Sequence, residues 1–505
     1  MAEAQNLEMI QKMETGIAGF DQVAAGGLPK GRTTLVAGTA GSGKTVLAAQ
    51  LLAEGIEKYQ QPGVFVTFEE SAQDIRRNIV SLGWDVPGWE RDGKWKFVDA
   101  SPLMGGETMV VGDYDLGALL ARIENAVHQV GAERLVMDSL GAVFSRFGDI
   151  TRVRSELLRI AFALKELKVT ALMTAERGDD YGLLTRFDVE GFVADNVIIL
   201  RNILEAGKRR RTLEILKFRG TDHHKGEYPF TIIPRGGIEV IPLSSLELKQ
   251  RSSNVRINSG NEGLDAMCGG GFFRDSVILV SGATGTGKTL MSTEFIAGGV
   301  EQGENSLLFA FEESREQLFR NAGGWGHDFK KMEEEGKLKV ICAYPEVAGL
   351  EDHLLRMRTA IREIKPQRVA VDSLSALERI STTKGFREFI IGLTSFIKHQ
   401  EIAGLFTSTT PTLMGGTSVT EAHISTITDS IILLRYVEMF GEMRRGMTVL
   451  KMRGSRHDKN IREFTINGQG MTIGKPFRNV SGILAGRPAQ VEAVETDRLT
   501  TMFQE

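Results

Sequence analysis

Two glycine-rich stretches of the chain carry the residue types needed to hold a polyphosphate. Gly38-Thr39-Ala40-Gly41-Ser42-Gly43-Lys44-Thr45 and Gly282-Ala283-Thr284-Gly285-Thr286-Gly287-Lys288-Thr289 both fit Gly, four residues, Gly, Lys, then Ser or Thr. In such a segment the glycines let backbone N–H groups curl around a β-phosphate, and the helix that follows adds the positive end of its dipole. Lys44 and Lys288 then reach β- and γ-oxygens, and the hydroxyls of Thr45 and Thr289 can ligate Mg2+. The cradle residues are therefore Gly41, Ser42, Gly43, Lys44 and Thr45 in one stretch. In the other they are Thr284, Gly285, Thr286, Gly287, Lys288, Thr289 and Leu290. A chance glycine turn is the bland reading. Two complete matches, each between an apolar strand and a helix, argue against it.

Carboxylates follow at matching points. Asp138 and Asp372 each end an apolar run and precede Ser-Leu, where a carboxylate can hold the water shell of a magnesium ion. The alternative is a strand-end Asp capping the next helix. Glu69-Glu70 and Glu312-Glu313 close two further apolar runs, GVFVTF and SLLFAF. A carboxylate there can orient or deprotonate an oxygen that attacks the γ-phosphate. Because adjacent strand residues point to opposite faces, one member of each pair is expected to act and its neighbour to assist. Glu69 and Glu312 are placed nearest the nucleophile; solvated surface glutamates are the alternative. Lys217 and Arg219, with Lys451 and Arg453, alternate along a strand and so project to one face. Two cations there suit an anion contributed from elsewhere, which by analogy with ring-shaped P-loop ATPases would be an adjacent subunit's γ-phosphate; the alternative is a solvated basic face.

The elements that position these residues occur twice. GIAGFDQVAAGGLPKG (16–31) realigns with GNEGLDAMCGGGFFRD (260–275), an offset of 244 that shrinks to 234 by VMDSL (136–140) and AVDSL (370–374). A period this long makes each copy a whole domain. Within the first copy TTLVAG, GVFVTF, RLVMDS, TALMTA and NVIILR read as strands, separated by helical segments such as ALLARIENAVHQV and SELLRIAFALKEL. Apolar strands alternating with helices predict an α/β fold: two tandem P-loop domains, each a mostly parallel sheet flanked by helices. The domains are expected over 1–242 and 260–480, with a polar linker over 243–259 and a tail over 481–505. A chain of 505 residues fits two domains of about 200 to 250 residues.

Composition narrows the function. Net charge is −4, so nothing overall favours nucleic acid or an anionic membrane. Cys268 and Cys342, the two cysteines, cannot build a disulfide framework or a cysteine zinc site. Cys342, in KLKVICAY, is expected to be a buried strand residue, and neither thiol a nucleophile. The first residues lack the pattern of a signal peptide, and no apolar stretch is long enough to span a membrane. A cytoplasmic setting is expected.

Over nearly its whole length the sequence resembles the KaiC family, tandem RecA-like ATPases and autokinases of the cyanobacterial circadian clock. The resemblance rests on both P-loops, FEES (68–71 and 311–314), SLGWD (81–85), DNVIILRN (195–202), RRRTLEILKFRGTDHHKGEYPFTI (209–232), HISTITDSIILL (423–434) and KMRGSRHDK (451–459). It implies a homohexamer of two stacked rings with ATP bound between subunits. The first ring would hydrolyse ATP, and the second would phosphorylate and dephosphorylate its own Ser-Thr pair. Ser81, Lys217, Phe218, Arg219, Thr221 and His223 would line the first nucleotide site. Trp325, Arg445, Lys451, Met452, Arg453, Ser455, His457 and Lys459 would line the second, with Thr45, Thr289 and Glu312 at the metal.

At the offset of 234, Ser425 and Thr426 fall opposite Gly191 and Phe192, so only the second domain offers hydroxyls there. An alcohol attacking in place of water, with Glu312 taking its proton, turns an ATPase site into a kinase site. Ile233 and Pro234 replace family nucleotide contacts, and Ser381 to Lys384 also departs from the family pattern. The tail AGRPAQVEAVETDRLTTMFQE is shorter than and unlike the family tail that binds KaiA, which points to a relative that phosphorylates itself unaided. A KaiB-type partner on the first ring is compatible with the resemblance. The main alternative is a RecA- or RadA-type DNA motor. It needs basic loops lining a channel, whereas the one dense basic run is Lys208 to Arg211, and RadA's zinc cysteines are absent. A scaffold that binds ATP without turnover is countered by the intact Glu pairs.

Overall fold

The computed structural model describes residues 10–100, 116–141, 150–184, 193–205, 207–242, 252–410, 424–439, 441–478, 480–483 and 489–490. Most of the expected linker before residue 252, most of the expected tail, and Gly191 and Phe192 lie outside the described residues. The chain divides into two compact units, 1–246 and 247–505. Arg256–Ile257, inside the expected linker, pairs with Phe272–Phe273 and so belongs to the second unit's fold.

In the first unit the strands are β1 (Thr33–Gly38), β2 (Gly63–Thr67), β3 (Trp95–Asp99), β4 (Arg134–Asp138), β5 (Thr170–Glu176), β6 (Asn196–Glu205), β7 (Lys208–Phe218), β8 (Glu227–Ile233) and β9 (Gly237–Val240). The helices used below are α1 (Lys44–Tyr59), α2 (Ala72–Ser81), α3 (Leu116–Val130) and α4 (Ile150–Glu166). They form a nine-stranded sheet in the order β9-β8-β7-β6-β1-β5-β4-β2-β3. Pairs from β6 across to β3 are parallel; β7, β8 and β9 continue the sheet antiparallel. All residues of β1 are buried, as expected of a central strand covered on both faces.

The second unit repeats this with β10 (Val277–Gly282), α5 (Lys288–Glu301), β11 (Ser306–Ala310), α6 (Arg315–Gly324), β12 (Leu338–Cys342), α7 (Leu350–Ile364), β13 (Arg368–Asp372), α8 (Thr383–His399), β14 (Ala403–Thr409), β15 (Ser430–Met439), β16 (Glu442–Met452), β17 (Arg462–Asn467) and β18 (Gly470–Pro476). Its sheet order is β12-β11-β13-β14-β10-β15-β16-β17-β18. Cys342 ends β12 but is half-buried, not buried as expected, because β12 is the edge strand. Burial pushes the thiol of Cys268 up to about 12 and that of Cys342 also upward, so neither is a ready thiolate.

Two features tie each P-loop helix to its sheet. The buried Arg134 guanidinium donates to the carbonyls of Glu14, Thr15 and Leu51 and to Gln61. Arg368 likewise donates to the carbonyls of Asn258 and Phe295 and to Glu304. The helices approach these arginines so closely that a Cβ on Gly55 would lie 2.5 Å from Arg134 Nε, and one on Gly299 2.5 Å from Arg368 Cδ. Gln50 on α1 accepts from Ile238 N at 2.6 Å. Its counterpart Glu294 on α5 accepts from Met471 N at 2.6 Å and from Asn261.

Burial raises the Glu294 carboxyl to about 7 against an ordinary 4.5. A carboxyl raised on folding contributes stability that is complete below its unfolded value and is lost as pH climbs through the folded one. Thermal unfolding should therefore show the second unit losing at most about 3 kcal/mol between pH 5 and 8. Glu294→Gln, the residue type of the first unit, should flatten that slope. An unchanged slope would assign the pH dependence elsewhere.

Candidate functional site

Each glycine-rich loop leaves the central strand and turns into a helix, as its pattern required. Gly41, Gly43, Gly285 and Gly287 adopt φ of 71°, 95°, 79° and 105°, a region that L-residues with a Cβ enter at a cost of roughly 1–2 kcal/mol. Gly43 and Gly287 cap α1 and α5 with no side-chain hydrogen bond, so the helix N–H groups face outward. The Lys44 ammonium donates to the Gly38 and Thr39 carbonyls at 2.9 and 3.1 Å, and Lys288 to Ala283 O at 2.9 Å. Burial lowers both ammonium pKa values. Glu176, Asp138 and Glu69 oppose this for Lys44; Asp372 and Glu312 do so for Lys288. Ser42 and Thr286 are buried, and Thr284 and Gly285 are exposed at the loop tip. Leu290 is buried in the core, so only its backbone can meet a ligand.

The carboxylates converge on these lysines. Asp138 ends β4 and Asp372 ends β13, and each accepts from a threonine of the next strand, Thr174 and Thr407. The Thr289 hydroxyl also bonds Asp372, whose carboxyl is nevertheless raised, chiefly by burial. The Glu pairs lie in bends just past β2 and β11, so strand alternation does not separate their members, contrary to expectation; their partners do. Glu69 accepts from Ser139 Oγ at 2.5 Å, and Glu312 from Arg379 at 3.1 Å. Both lie within reach of the loop lysine's field. Glu70 and Glu313 turn instead to Asn78 and Asn321 of the following helix. Both carboxyls are pushed up, first by burial and then by neighbouring carboxylates. Ser81 and Trp325 sit at the far ends of α2 and α6.

The remaining predicted residues are at the other end of the sheet. Phe218 at the end of β7 pairs with Asn196, which pairs with Thr34 of β1; Gly38, where the loop begins, is level with Leu200. The span from Thr34 to Gly38 is four residues, about 13 Å of strand. Lys217 donates to Ala194 O at 2.9 Å and Arg219 to Asp195. In the second unit Lys451 donates to Thr428 O at 2.7 Å and Arg453 to Thr426 O at 2.7 Å. The two cations of each pair do gather at one place, but not by simple alternation. β7 and β16 end at Phe218 and Met452, so Arg219 and Arg453 are in the turn beyond, and a bulge precedes each lysine.

Phe218 and Met452 are buried, leaving their backbone for a ligand. His223 packs at 5.4 Å on Phe218, and burial lowers its imidazole pKa. Thr221 and His457 are half-buried and Lys459 is exposed. Ser455 accepts from Arg256. The 3-10 turn Ile424–Thr426 lies here too, with Thr426 exposed. Arg445 departs from its group: it reaches the carbonyl of Gly285 in its own loop, at 3.4 Å.

Sequence reasoning missed Arg211, which bonds Gly41 O at 3.1 Å and lies at the repeat offset from Arg445. It also missed Ser139 and Arg379, whose Glu partners are distant in sequence. The basic run Lys208 to Arg211 is part of β7, with Arg210 paired to Glu205 and Arg209 bonded to Asn202 O, and is not a loop. Among the described residues no helix is long and apolar enough to cross a membrane.

The family model described as "ATPase: KaiC" matches residues 13–245 and again 257–477. The chain is 66% identical over 501 residues to circadian clock protein KaiC3 of Synechocystis sp., covering 99% of each. It is 54% identical over 495 residues to circadian clock oscillator protein KaiC of Thermostichus vulcanus, covering 98% of this chain and 95% of that one. A phosphate loop, a strand-end Asp and a Glu pair recurring in both matched segments are what such an ATPase requires, and the chain belongs to the KaiC family of tandem RecA-like ATPases.

Proposed function

We propose that this ATPase hydrolyses ATP in its first unit and, in its second, transfers the γ-phosphoryl group to Ser425 and Thr426 of an adjoining subunit. The reading rests on one observation. The loop that grips phosphate and the cations that would act on it, with Thr426 beside them, lie at opposite ends of the same sheet. A span of about 13 Å or more is too long for Lys451, Arg453 or Thr426 to serve their own loop. A second copy can supply them, which supports ATP held between subunits of a homohexamer, one ring per unit.

In the second unit the acceptor oxygen would form a bond to the γ-phosphorus as the bond to the bridging oxygen breaks and ADP leaves. Glu312, near Lys288, takes the acceptor's proton. In the first unit water attacks, with Glu69 in the same role. Lys44, Lys288 and the loop N–H groups hold the phosphates. Thr45, Asp138, Thr289, Asp372 and Glu312 offer the hard oxygen donors that suit Mg2+, which when bound neutralises charge on the β- and γ-oxygens. The relatives are named as circadian clock proteins, and a timing role in the cytoplasm, with a KaiB-type partner, follows the same line.

Lys288→Ala should abolish phosphate incorporation into protein while ATP hydrolysis by the first unit persists. Ser425→Ala/Thr426→Ala should abolish it without touching either loop; phosphate still appearing there would refute the acceptor assignment. Transfer between subunits has its own test. A Lys288→Ala chain supplies hydroxyls but no kinase, and the Ser425→Ala/Thr426→Ala chain the reverse. Subunits of the two, co-assembled with ATP and Mg2+, should yield phosphate on the Lys288→Ala chain, seen by mass. Mixed hexamers that form and stay unmodified would rule out transfer in trans.

A further inference from the structure

The two loops differ in the carboxylates beside them: in the first, Asp180 accepts from the Thr39 hydroxyl at 2.8 Å, and a further carboxylate closes the adjoining strand. β5 ends at Glu176, whose Cα pairs with Gly38, the first glycine of the loop. The carbonyl of Gly38 accepts from the next residue's amide, Arg177 N, at 3.1 Å and from Lys44 Nζ at 2.9 Å. The end of β5 is thus fastened beside the loop lysine. Thr174, two residues earlier, puts its hydroxyl on Asp138. Side chains two apart share a face, so Glu176 points the way Thr174 does, one step further toward the phosphate end. It is exposed there, and among the described residues its charge leads those of Asp138 and Glu69 in opposing the burial that lowers the Lys44 pKa.

The second unit has the same frame and another residue. β14 ends at Thr409, opposite Gly282. Thr410 N donates to Gly282 O at 3.1 Å, and Thr407 bonds Asp372. Among the described residues, the carboxylates that oppose the burial of Lys288 are Asp372 and Glu312. A carboxylate beside a triphosphate repels it, so a third one at this point works against binding ATP. It suits a site in which something must be held that the other site lacks. Water has two O–H bonds to place; an alcohol has one. In the first unit Glu69 is already an acceptor for Ser139 at 2.5 Å. Glu176 is a further carboxylate at the same end of the sheet, level with the first glycine of the loop.

We infer that Glu176 is a catalytic residue of the first nucleotide site that accepts a hydrogen bond from the attacking water, and that Thr409 in its place favours an alcohol over water in the second. The inference rests on the division of labour proposed above. As the water oxygen bonds to the γ-phosphorus and the bridging bond to ADP breaks, one proton passes to Glu69 while the other O–H stays directed at Glu176. Threonine cannot hold that second hydrogen as a carboxylate does, and an acceptor hydroxyl does not present it.

The test uses the full chain carrying Lys288→Ala, with ATP and Mg2+, reading free phosphate. Glu176→Gln and Glu176→Thr should lower kcat about a hundredfold and leave KM for ATP within about threefold, with Glu176→Asp recovering part of the loss. A kcat within about twofold of the parent, or a loss confined to KM, would overturn the assignment. The parent is compared with Lys44→Ala/Lys288→Ala. If the two release phosphate equally, the hydrolytic reading of the first unit fails and this inference with it, an outcome distinct from failure of Glu176 alone. In the reciprocal arm, a Lys44→Ala chain carrying Thr409→Glu should raise the ratio of free to protein-bound phosphate at least about fivefold. An unchanged ratio would overturn the role of Thr409.

Discussion

The register of the central strand against its two neighbours governs how this protein can work. β1 and β10 run parallel to both flanking strands, so their glycine loops emerge at one end of the sheet. The next strand pair is antiparallel, and it returns the chain to the opposite end before delivering Lys217 and Arg219, or Lys451 and Arg453. A sheet is stiff along its strands, and the buried strands here leave no slack. No rearrangement short of unfolding brings the two ends together in one copy. In the proposed ring each unit would therefore carry two half-sites facing different neighbours, and completeness would be a property of that ring.

Against that shared frame, the differences between the units are few and chemical. The strut arginines, the bulge before each lysine and the threonine on each strand-end Asp are the same. The carboxylate environment is not. Glu69 is held by a neutral serine, whereas Glu312 meets a guanidinium, and the strand beside the loop ends in Glu176 or in Thr409. A frame that holds backbone positions constant lets single side chains choose the acceptor, which is how one fold can host two outcomes.

Much of this was readable from residue order, because phosphate binding by a glycine loop is a backbone property fixed by local pattern. The strand and helix runs around each loop have the periodicities that tertiary packing rewards, so fold class followed. Residues whose role depends on long-range register were not readable. Glu176 sits in an unremarkable TALMTAE run, and only the pairing with Gly38 shows what it faces. Alternation predicts which member of each Glu pair acts, but the strands stop short of them, and side-chain partners do the sorting. The family resemblance groups Arg445 with Lys451 and Arg453. The antiparallel strand places those residues six to eight positions apart along one sheet, so Arg445 lies over its own loop and the others at the far end.

The cations of both half-sites already have protein partners: Lys44 and Lys288 hold loop carbonyls, Lys217 and Lys451 the carbonyls of Ala194 and Thr428. Leaving such charges unpaired in buried or half-buried settings would be costly, so the fold satisfies them with carbonyls that a phosphate can outcompete. In the proposed ring a triphosphate makes that exchange on two subunits at once. A ligand that binds only the assembled form stabilises it by mass action, so loading with ATP and closure of the ring become one equilibrium. Removing the γ-phosphate then weakens the far half-site more than the near one, since the loop still grips the β-phosphate. Hydrolysis would thereby be felt first at the seam between subunits, where Arg453 also holds the carbonyl of Thr426.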